Sequence, residues 1–298
     1  MDNINQTSVL VVGATGYLGM EICRQLAASG AKVTAISRTA TPGDRVEALK
    51  QLGVSFVAGD LKDNASMKNA LKGFSTVISS ATSVMSKSAE DNIQSVDNEG
   101  QAALVGAAAE AGVKHFIYVS VPEMSDSSPL IAAKRNVEDR LKKSGMSYTI
   151  LKPTFFMEMW LSPALGFDYP ASKATIYGEG KNKISWISLV DVASFVVASV
   201  NNPQATNKSI ELGGPAALSP LEVVSIFEES SGKKFELQHV PVAVLQAQKT
   251  AAPDDLGKSF SSLMLIYASG NEIDMKEANR TFNVKMKSVR EYANQGKA

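Results

Sequence analysis

A glycine-rich turn between an apolar run and a helical pattern constrains the fold of this chain more than any other feature. The apolar run is Val9–Val12. It leads into Gly13, Gly16 and Gly19, and a segment with apolar residues at helical spacing follows at once. Such glycines allow a tight turn, a close approach of backbone to phosphate, and close packing of helix on strand. Because the first N–H groups of a helix are unpaired, the turn predicts a dinucleotide-binding site in a parallel α/β fold.

Glycines also separate the predicted elements in the first half of the chain. They are Gly30, Gly53, Gly73, Gly112 and Gly145, each with one to three residues between it and the next predicted strand. Helices that end at glycine and alternate with short apolar strands indicate a parallel sheet with crossover helices. The predicted strands are 9–12, 32–37, 55–58, 76–79, 116–120, 148–151 and 209–212, and the predicted helices are 17–29, 44–52, 65–72, 92–111 and 130–144.

This regularity ends near Pro153, which divides the chain into two predicted domains. We expect an α/β protein whose residues 1–153 form a Rossmann-type NAD(P)-binding domain with a doubly wound parallel sheet. Residues 154–298 are expected to form a smaller C-terminal α/β lobe that binds substrate, with some segments returning to the Rossmann sheet. Two helix starts are predicted in this part by capping patterns, Ser188 with Asp191 and Ser219 with Glu222. For Asp191 a catalytic role is the alternative.

Composition excludes several other classes of protein. The 30 basic and 30 acidic residues cancel, so no net positive charge favours nucleic acid or anionic lipid. One cysteine, Cys23, and two histidines argue against a structural metal site, and Cys23 is expected to be a small core residue. The start of the chain lacks the pattern of a signal peptide, and no apolar run has the length of a membrane span. The expected location is the cytoplasm.

The residue after the second predicted strand indicates which dinucleotide is bound. Arg38 stands 19 residues after Gly19, where sites for NAD usually have an acidic residue. An arginine pairs with phosphate through two parallel hydrogen bonds, which suits the additional 2′-phosphate of NADP. The alternative is a surface cation that ends the strand.

Several stretches together resemble the atypical short-chain dehydrogenase/reductase superfamily, and in particular its NmrA-like branch, which is related to quinone oxidoreductase-like and isoflavone reductase-like proteins. The resemblance covers nearly the whole chain and is weaker after Val240. The matching stretches are 11–19, Arg38, 59–61, 79–81, 115–120, 134–138, 148–156 and 186–193.

The resemblance implies that the protein binds NADP(H). In this family Asp60 and Leu61 would lie near the adenine, Ser80 and Ala81 along the middle of the cofactor, and 153–156 beside the nicotinamide. The alternative for Asp60 is a turn residue that closes the third strand. The alternative for Phe155 and Phe156 is that both are simply core residues. The implied cofactor-binding residues are Gly13, Thr15, Gly16, Tyr17, Leu18, Gly19, Arg38, Asp60, Leu61, Ser80, Ala81, Lys134, Pro153, Phe155 and Phe156.

The usual catalytic tyrosine of the superfamily has no counterpart in this sequence. That tyrosine stands four residues before a lysine, whereas here Leu130 stands four residues before Lys134. Tyr118, in a predicted buried strand, is a poor substitute. The resemblance implies that Lys134 contacts the nicotinamide ribose and, in some members, acts as the acid or base, which makes it the candidate catalytic residue. The alternative is a solvated lysine on a helix surface.

Two functions remain open from the sequence. The first is an NADPH-dependent reductase that transfers a hydride to a quinone or another planar conjugated, aromatic molecule, since such acceptors need little help from a protein acid. An aromatic wall from Phe155, Phe156 and Trp160 suits that substrate. The alternative is an NmrA-like regulatory protein that senses NADP(H) without turnover. No nucleic acid, membrane or metal is expected as a partner, while a homodimer or a protein partner stays open.

Overall fold

The computed structural model describes residues 4, 7–38, 43–86, 88 and 90–295. The chain divides into two compact units, which we describe separately. Unit 1 contains Met1–Ser120, Leu130–Lys152 and Ala193–Ile210. Unit 2 contains Val121–Pro129, Pro153–Val192 and Glu211–Ala298.

The strands form one large sheet and one small sheet. Within the described residues they are β1 (Ser8–Val12), β2 (Lys32–Ser37), β3 (Ser55–Ala58), β4 (Thr76–Ser79), β5 (His115–Val119), β6 (Ser147–Pro153), β7 (Phe167–Asp168), β8 (Lys173–Tyr177), β9 (Lys208–Leu212) and β10 (Glu236–Val240). The seven-stranded sheet has the order β3-β2-β1-β4-β5-β6-β9, and neighbours from β3 to β6 are parallel. This is the predicted Rossmann-type sheet. The small sheet has the order β10-β8-β7, with one parallel and one antiparallel pair.

Helices connect the parallel strands, as the glycine pattern predicts. The α-helices in the described part of the chain are α1 (Tyr17–Ala28), α2 (Gly43–Gln51), α3 (Asn64–Ala70), α4 (Gln101–Glu110), α5 (Pro129–Lys142), α6 (Met157–Trp160), α7 (Leu189–Ser199), α8 (Pro220–Ser231), α9 (Val242–Ala251), α10 (Asp255–Ser269), α11 (Lys276–Thr281) and α12 (Val289–Gln295). All five glycines that separate the predicted elements have φ between +76° and +84°. They adopt the left-handed conformation that glycine reaches without steric cost, so the predicted helix ends are confirmed.

One predicted helix differs from the expectation. The segment 92–111 is a π-helix over Ile93–Gly100 that continues into α4. Asn92 caps the π-helix through the N–H of Ser95, and Ser95 in turn accepts from the N–H of Asn92. π-Helical turns are uncommon and are frequently found at functional sites.

The core of unit 1 surrounds the central strands. Val9, Leu10 and Val11 of β1 are fully buried, as a strand covered by helices on both faces requires. Cys23 on α1 is buried as well, and burial raises the pKa of its thiol to about 12. The prediction that Cys23 is a core residue is therefore confirmed.

An aromatic cluster fills the interior of unit 2. Phe155 packs edge-on against Trp160 with ring centroids 4.7 Å apart, and Trp160 stacks on Tyr267 at 5.6 Å. Trp186 packs against both Phe155 and Tyr267. Burial raises the pKa of the Tyr267 phenol above its usual range. Aromatic rings in such offset and edge-on contacts stabilise a core beyond the area that they bury.

The two predicted capping boxes have different outcomes. Ser219 and Glu222 form a capping box at the start of α8, as predicted. Ser188 caps α7 as predicted, because α7 begins at Leu189 and the Ser188 hydroxyl accepts from the N–H of Val190 at 3.2 Å. The part predicted for Asp191 is wrong, because its carboxylate accepts from the N–H of Lys287 at 2.7 Å. Glu158 completes the start of α7 in place of Asp191, accepting from the Ser188 hydroxyl and the Leu189 N–H. This is a contact between residues distant in sequence, which a local pattern does not reveal.

Candidate functional site

The glycine turn after β1 is closed by backbone contacts that exclude side chains. Gly13 has φ +87°, and a Cβ there would lie 2.7 Å from the backbone of Ala81. A Cβ at Gly19 would lie 2.0 Å from the carbonyl oxygen of Gly13. Real Cβ atoms do not approach backbone so closely, so both positions require glycine for this conformation.

The first turn of α1 presents backbone donors beside this turn. Gly16 donates its N–H to the Gly13 carbonyl at 3.0 Å and then precedes α1 in an extended conformation without a side-chain cap. The helix starts at Tyr17, followed by the half-buried Leu18. Because the first N–H groups of a helix have no intrahelical acceptor, this end of α1 suits a phosphate.

Arg45 is a residue at the turn that the sequence analysis missed. Its Nη1 donates to the carbonyl of Thr15 at 2.7 Å, and its guanidinium lies 5.0 Å from the ring centroid of Tyr17. These contacts hold a positive charge next to the start of α1. The sequence carries no spacing signal for Arg45, since it stands on a different helix.

Arg38 lies in a cluster of charges at the ends of β2 and β3. Its Nη1 donates to both carboxylate oxygens of Asp91, at 2.9 and 2.8 Å. Lys62 donates to the same carboxylate at 2.8 Å, and so does the Ser86 hydroxyl at 2.6 Å. Burial alone raises the pKa of Asp91, but these hydrogen bonds outweigh it and hold the pKa at about 2.

Asp60 has the geometry of a turn residue after β3. Its Oδ1 accepts from the N–H of Lys62 at 2.9 Å, and its own N–H donates to the Ser66 hydroxyl at 3.1 Å. Leu61 is half-buried and lies close to Gly100, where an added Cβ would come within 3.1 Å of its side chain. These contacts order the loop that the resemblance assigns to the adenine.

Ser80 and Ala81 follow β4 directly beside the glycine turn. The Ser80 N–H donates to the carbonyl of Val12 at 3.0 Å, and the Ala81 carbonyl accepts from the amide of Gln101 at 2.9 Å. The Ser80 hydroxyl is buried and has no hydrogen-bond partner among the described residues. A buried hydroxyl without a partner costs free energy, so this atom fits a position that binds a ligand.

Lys134 is buried in α5, so the alternative of a solvated helix lysine is wrong. Only 5% of the residue is exposed, and its Nζ lies 3.6 Å from Asp97 Oδ1 and 5.2 Å from the ring centroid of Tyr118. Burial alone lowers the pKa of Lys134, but Tyr118 and Asp97 outweigh it and leave the pKa raised. Lys134 is therefore a cation at neutral pH.

Asp97 is a second residue that the sequence analysis missed. It is fully buried in the π-helical segment, where its Oδ2 accepts from the N–H and the hydroxyl of Ser83 at 2.9 and 2.6 Å. Asp97 Oδ1 forms the ion pair with the Lys134 Nζ at 3.6 Å and has no hydrogen-bond partner among the described residues. The sequence predicts a continuous helix here and gives no sign that this aspartate points inward.

Lys134 carries a positive charge, but the side chains of Leu130 and Tyr118 around it are poor proton donors. Leu130 packs with Ile93 and Ala133, so the position of the usual tyrosine is apolar. Burial raises the pKa of the Tyr118 phenol, which stays neutral. The cluster can donate hydrogen bonds from a fixed ammonium group, and Leu130 stands four residues before Lys134 on α5.

The remaining candidate residues belong to unit 2. Pro153 ends β6, and Phe155 is 3% exposed within the aromatic cluster. Phe156 is half-buried and pairs with Ile187 in an isolated parallel bridge. Of these, Phe156 has the more accessible side chain.

The residues of unit 1 fit a dinucleotide phosphate better than a metal ion. An anion suits the chemistry of three features of unit 1, namely the glycine turn, the uncapped start of α1 and the cations Arg38 and Lys62. In the described part of the chain, no group of three or more His, Cys, Asp and Glu residues has the arrangement of a metal site. Nor is any described helix long and apolar enough to cross a bilayer.

Comparisons with known proteins agree with this geometry. Residues 5–293 match the model of the NmrA-like family. An isoflavone reductase homolog from Zea mays is 31% identical over 97% of this chain and 98% of its own length. An NAD(P)H azoreductase from Xenophilus azovorans is 30% identical over 86% of this chain and 84% of its own. The solved structure of AtPrR2 with NADP+ and (+)pinoresinol has a TM-score of 0.77 and 25% identity, covering 97% and 98% of the two chains.

Proposed function

The chain belongs to the NmrA-like family, and from this premise we propose that it is an NADPH-dependent reductase that transfers a hydride to a quinone or another planar conjugated molecule. The observation that carries the proposal is the buried pair of Lys134 and Asp97 beside the apolar Leu130. Relatives that act as an azoreductase and bind pinoresinol support an aromatic acceptor.

The residues of unit 1 would hold the cofactor by its phosphates. The start of α1 and the glycine turn suit the diphosphate, and Arg38 suits the 2′-phosphate. The bound cofactor supplies the hydride. We retain the domain boundary as part of the proposal, with residues 1–153 binding cofactor and 154–298 binding substrate.

Lys134 would orient and stabilise charge rather than transfer a proton. Its raised pKa means that the ammonium group keeps its proton at neutral pH, and Asp97 fixes its position. A quinone or azo compound spreads the charge that develops on hydride addition over its conjugated system, and water can then supply the proton. A simple ketone lacks this property, so we expect the protein to discriminate strongly against simple ketones.

Steady-state NADPH oxidation tests this function. The purified protein is assayed with quinones, azo dyes, triarylmethane dyes and simple ketones, with NADPH binding measured separately by fluorescence. We expect turnover of conjugated acceptors alone. Lys134→Met should reduce kcat, whereas Lys142→Met, an exposed lysine on the same helix, should not. Tight NADPH binding without turnover of any acceptor would contradict the proposal and favour an NADP(H)-sensing protein.

A further inference from the structure

The charge cluster at Arg38 contains one more cation than the sequence analysis assigned to cofactor binding. Lys62 stands just after β3, the neighbour of the strand that ends at Ser37. Both Lys62 and Arg38 donate to one carboxylate, that of Asp91, although these residues are distant in sequence. The carboxyl ends of adjacent parallel strands meet at one sheet edge, which explains why the two cations converge.

Asp91 has the contacts expected of a phosphate bound at this place. Its two oxygens accept hydrogen bonds from the single Nη1 of Arg38, from the ammonium group of Lys62 and from the hydroxyl of Ser86. Its side chain is 4% exposed, while those of Arg38 and Lys62 are 41% and 23% exposed. Water and solutes therefore reach the cations more easily than the carboxylate that they bind.

We propose that Lys62 is a second cationic contact for the 2′-phosphate of NADPH, and that the Asp91 carboxylate occupies this position until the phosphate displaces it. The inference rests on the proposed function, because it takes NADPH as the cofactor. A 2′-phosphate carries more negative charge and more acceptor oxygens than a carboxylate, so it competes well for both cations. A nucleotide without the 2′-phosphate lacks this advantage. Lys62 and Asp91 are then residues that determine cofactor specificity.

A second carboxylate, that of Glu90, interacts only weakly with Lys62. Its Oε2 lies 3.5 Å from the Lys62 Nζ, but its side chain is 86% exposed and screened by solvent. Asp60 is also nearby, bound through the Lys62 backbone. Asp91 is therefore the acidic group whose removal changes phosphate binding most.

Isothermal titration with two nucleotides tests the inference without any enzymatic turnover. Adenosine 2′,5′-bisphosphate carries the 2′-phosphate, and ADP does not. We expect Lys62→Ala to weaken the bisphosphate about tenfold and to leave ADP within about twofold. Asp91→Asn should tighten the bisphosphate about fivefold while lowering the urea midpoint of unfolding. Matched controls are Lys68→Ala and Glu47→Gln, both in exposed pairs elsewhere in unit 1.

If the inference holds, Asp91→Asn raises the affinity for the bisphosphate and lowers the stability of the protein. A purely structural role of Asp91 does not predict the gain in affinity. If Asp91 only holds the loop together, Asp91→Asn weakens or leaves unchanged the binding of the bisphosphate, which would overturn the inference. Equal weakening of both nucleotides by Lys62→Ala would overturn it too. Ser86→Ala provides a milder variant, since it removes one hydrogen bond to Asp91 and should tighten the bisphosphate about twofold.

The outcomes also distinguish the inference from the proposed function. Wild-type binding of NADPH with no response to Lys62 or Asp91 variants leaves the proposed function intact and overturns the inference. Failure of the wild type and every variant to bind either nucleotide overturns both. Binding of the bisphosphate by Asp91→Asn but not by the wild type would overturn the inference, because the phosphate would then be unable to displace the carboxylate.

Discussion

Two aspartates six residues apart bind cations in opposite settings. Asp91 binds Arg38 and Lys62, whose side chains remain open to water. Asp97 binds Lys134, whose side chain is 7% exposed while that of Asp97 is fully buried. The cations of the first cluster are therefore partly open to water, whereas both members of the second pair are buried.

The two pairs differ in what can solvate the cation once its aspartate is removed. Water and ions solvate an exposed cation, so a partly exposed pair contributes little to stability. A buried cation left alone has no such substitute, and breaking a buried pair is strongly destabilising. We therefore expect a ligand phosphate to compete with Asp91 for Arg38 and Lys62. We expect Lys134 to stay in one position, held by Asp97.

The largest expected effect comes from breaking the buried pair. Asp97→Ala should lower the free energy of unfolding by about 4 kcal/mol because it leaves Lys134 charged and unpaired. Asp91→Asn should lower it by only about 1.5 kcal/mol. Urea denaturation of both variants measures the difference. The double variant Asp97→Ala with Lys134→Met should regain part of the loss, and equal effects of the two single variants would contradict the comparison.

Cofactor binding should depend on the exposed cluster. Arg38→Ala should weaken NADPH about thirtyfold, or about 2 kcal/mol, while NADH changes by no more than about twofold. Fluorescence titration with both nucleotides measures this. Arg24→Ala is a matched control, since Arg24 is an exposed arginine that pairs with Glu21 on α1. An equal loss for NADPH and NADH would refute the assignment of Arg38 to the 2′-phosphate.

Acid should weaken the exposed cluster in a defined pH window. The pKa of Asp91 is lowered from 3.8 to about 2 in the folded protein. A lowered folded pKa stabilises the protein above pH 3.8, and the stabilisation is lost as the pH falls from 4 to 2. We expect the wild type to lose about 1.5 kcal/mol more than Asp91→Asn across this window. Parallel pH dependence of the two proteins would exclude this role of Asp91.

The smallest expected effect concerns the aromatic neighbour of Arg45. Tyr17→Leu removes a cation–π contact at a residue that is 58% exposed, so stability should fall by about 0.5 kcal/mol. Leu52→Ala, at another exposed apolar residue of unit 1, provides the control. A loss larger than that of Asp91→Asn would show that the turn depends on Tyr17 more than on hydrogen bonds.

Local patterns predicted the sheet of unit 1 well. The predicted bounds of β2, β3 and β4 agree with the structure, because each strand follows a glycine that ends a helix and is itself apolar. In unit 2 the small sheet of β7, β8 and β10 was not predicted. Strand β10 is largely exposed, so its sequence lacks the alternation that a half-buried strand shows.

The partners of the site residues were beyond the reach of local patterns. Arg38 was identified from its position after the second predicted strand, and Lys134 from the resemblance to the NmrA-like branch. Asp91 and Asp97 were not identified, because the loop geometry and the π-helical turn that direct them are set by tertiary contacts. The sequence therefore indicates the cations, and the three-dimensional structure identifies the carboxylates that control them.

Cys23 gives this protein an internal reporter. It is the only cysteine in the chain, and it lies buried on α1, the helix that follows the glycine turn. A thiol reagent can modify it only when α1 separates from the sheet, so the labelling rate measures how often that opening occurs. Nucleotides that bind the start of α1 should slow the reaction, and their rank order of protection then ranks their affinities on the unmodified wild-type protein.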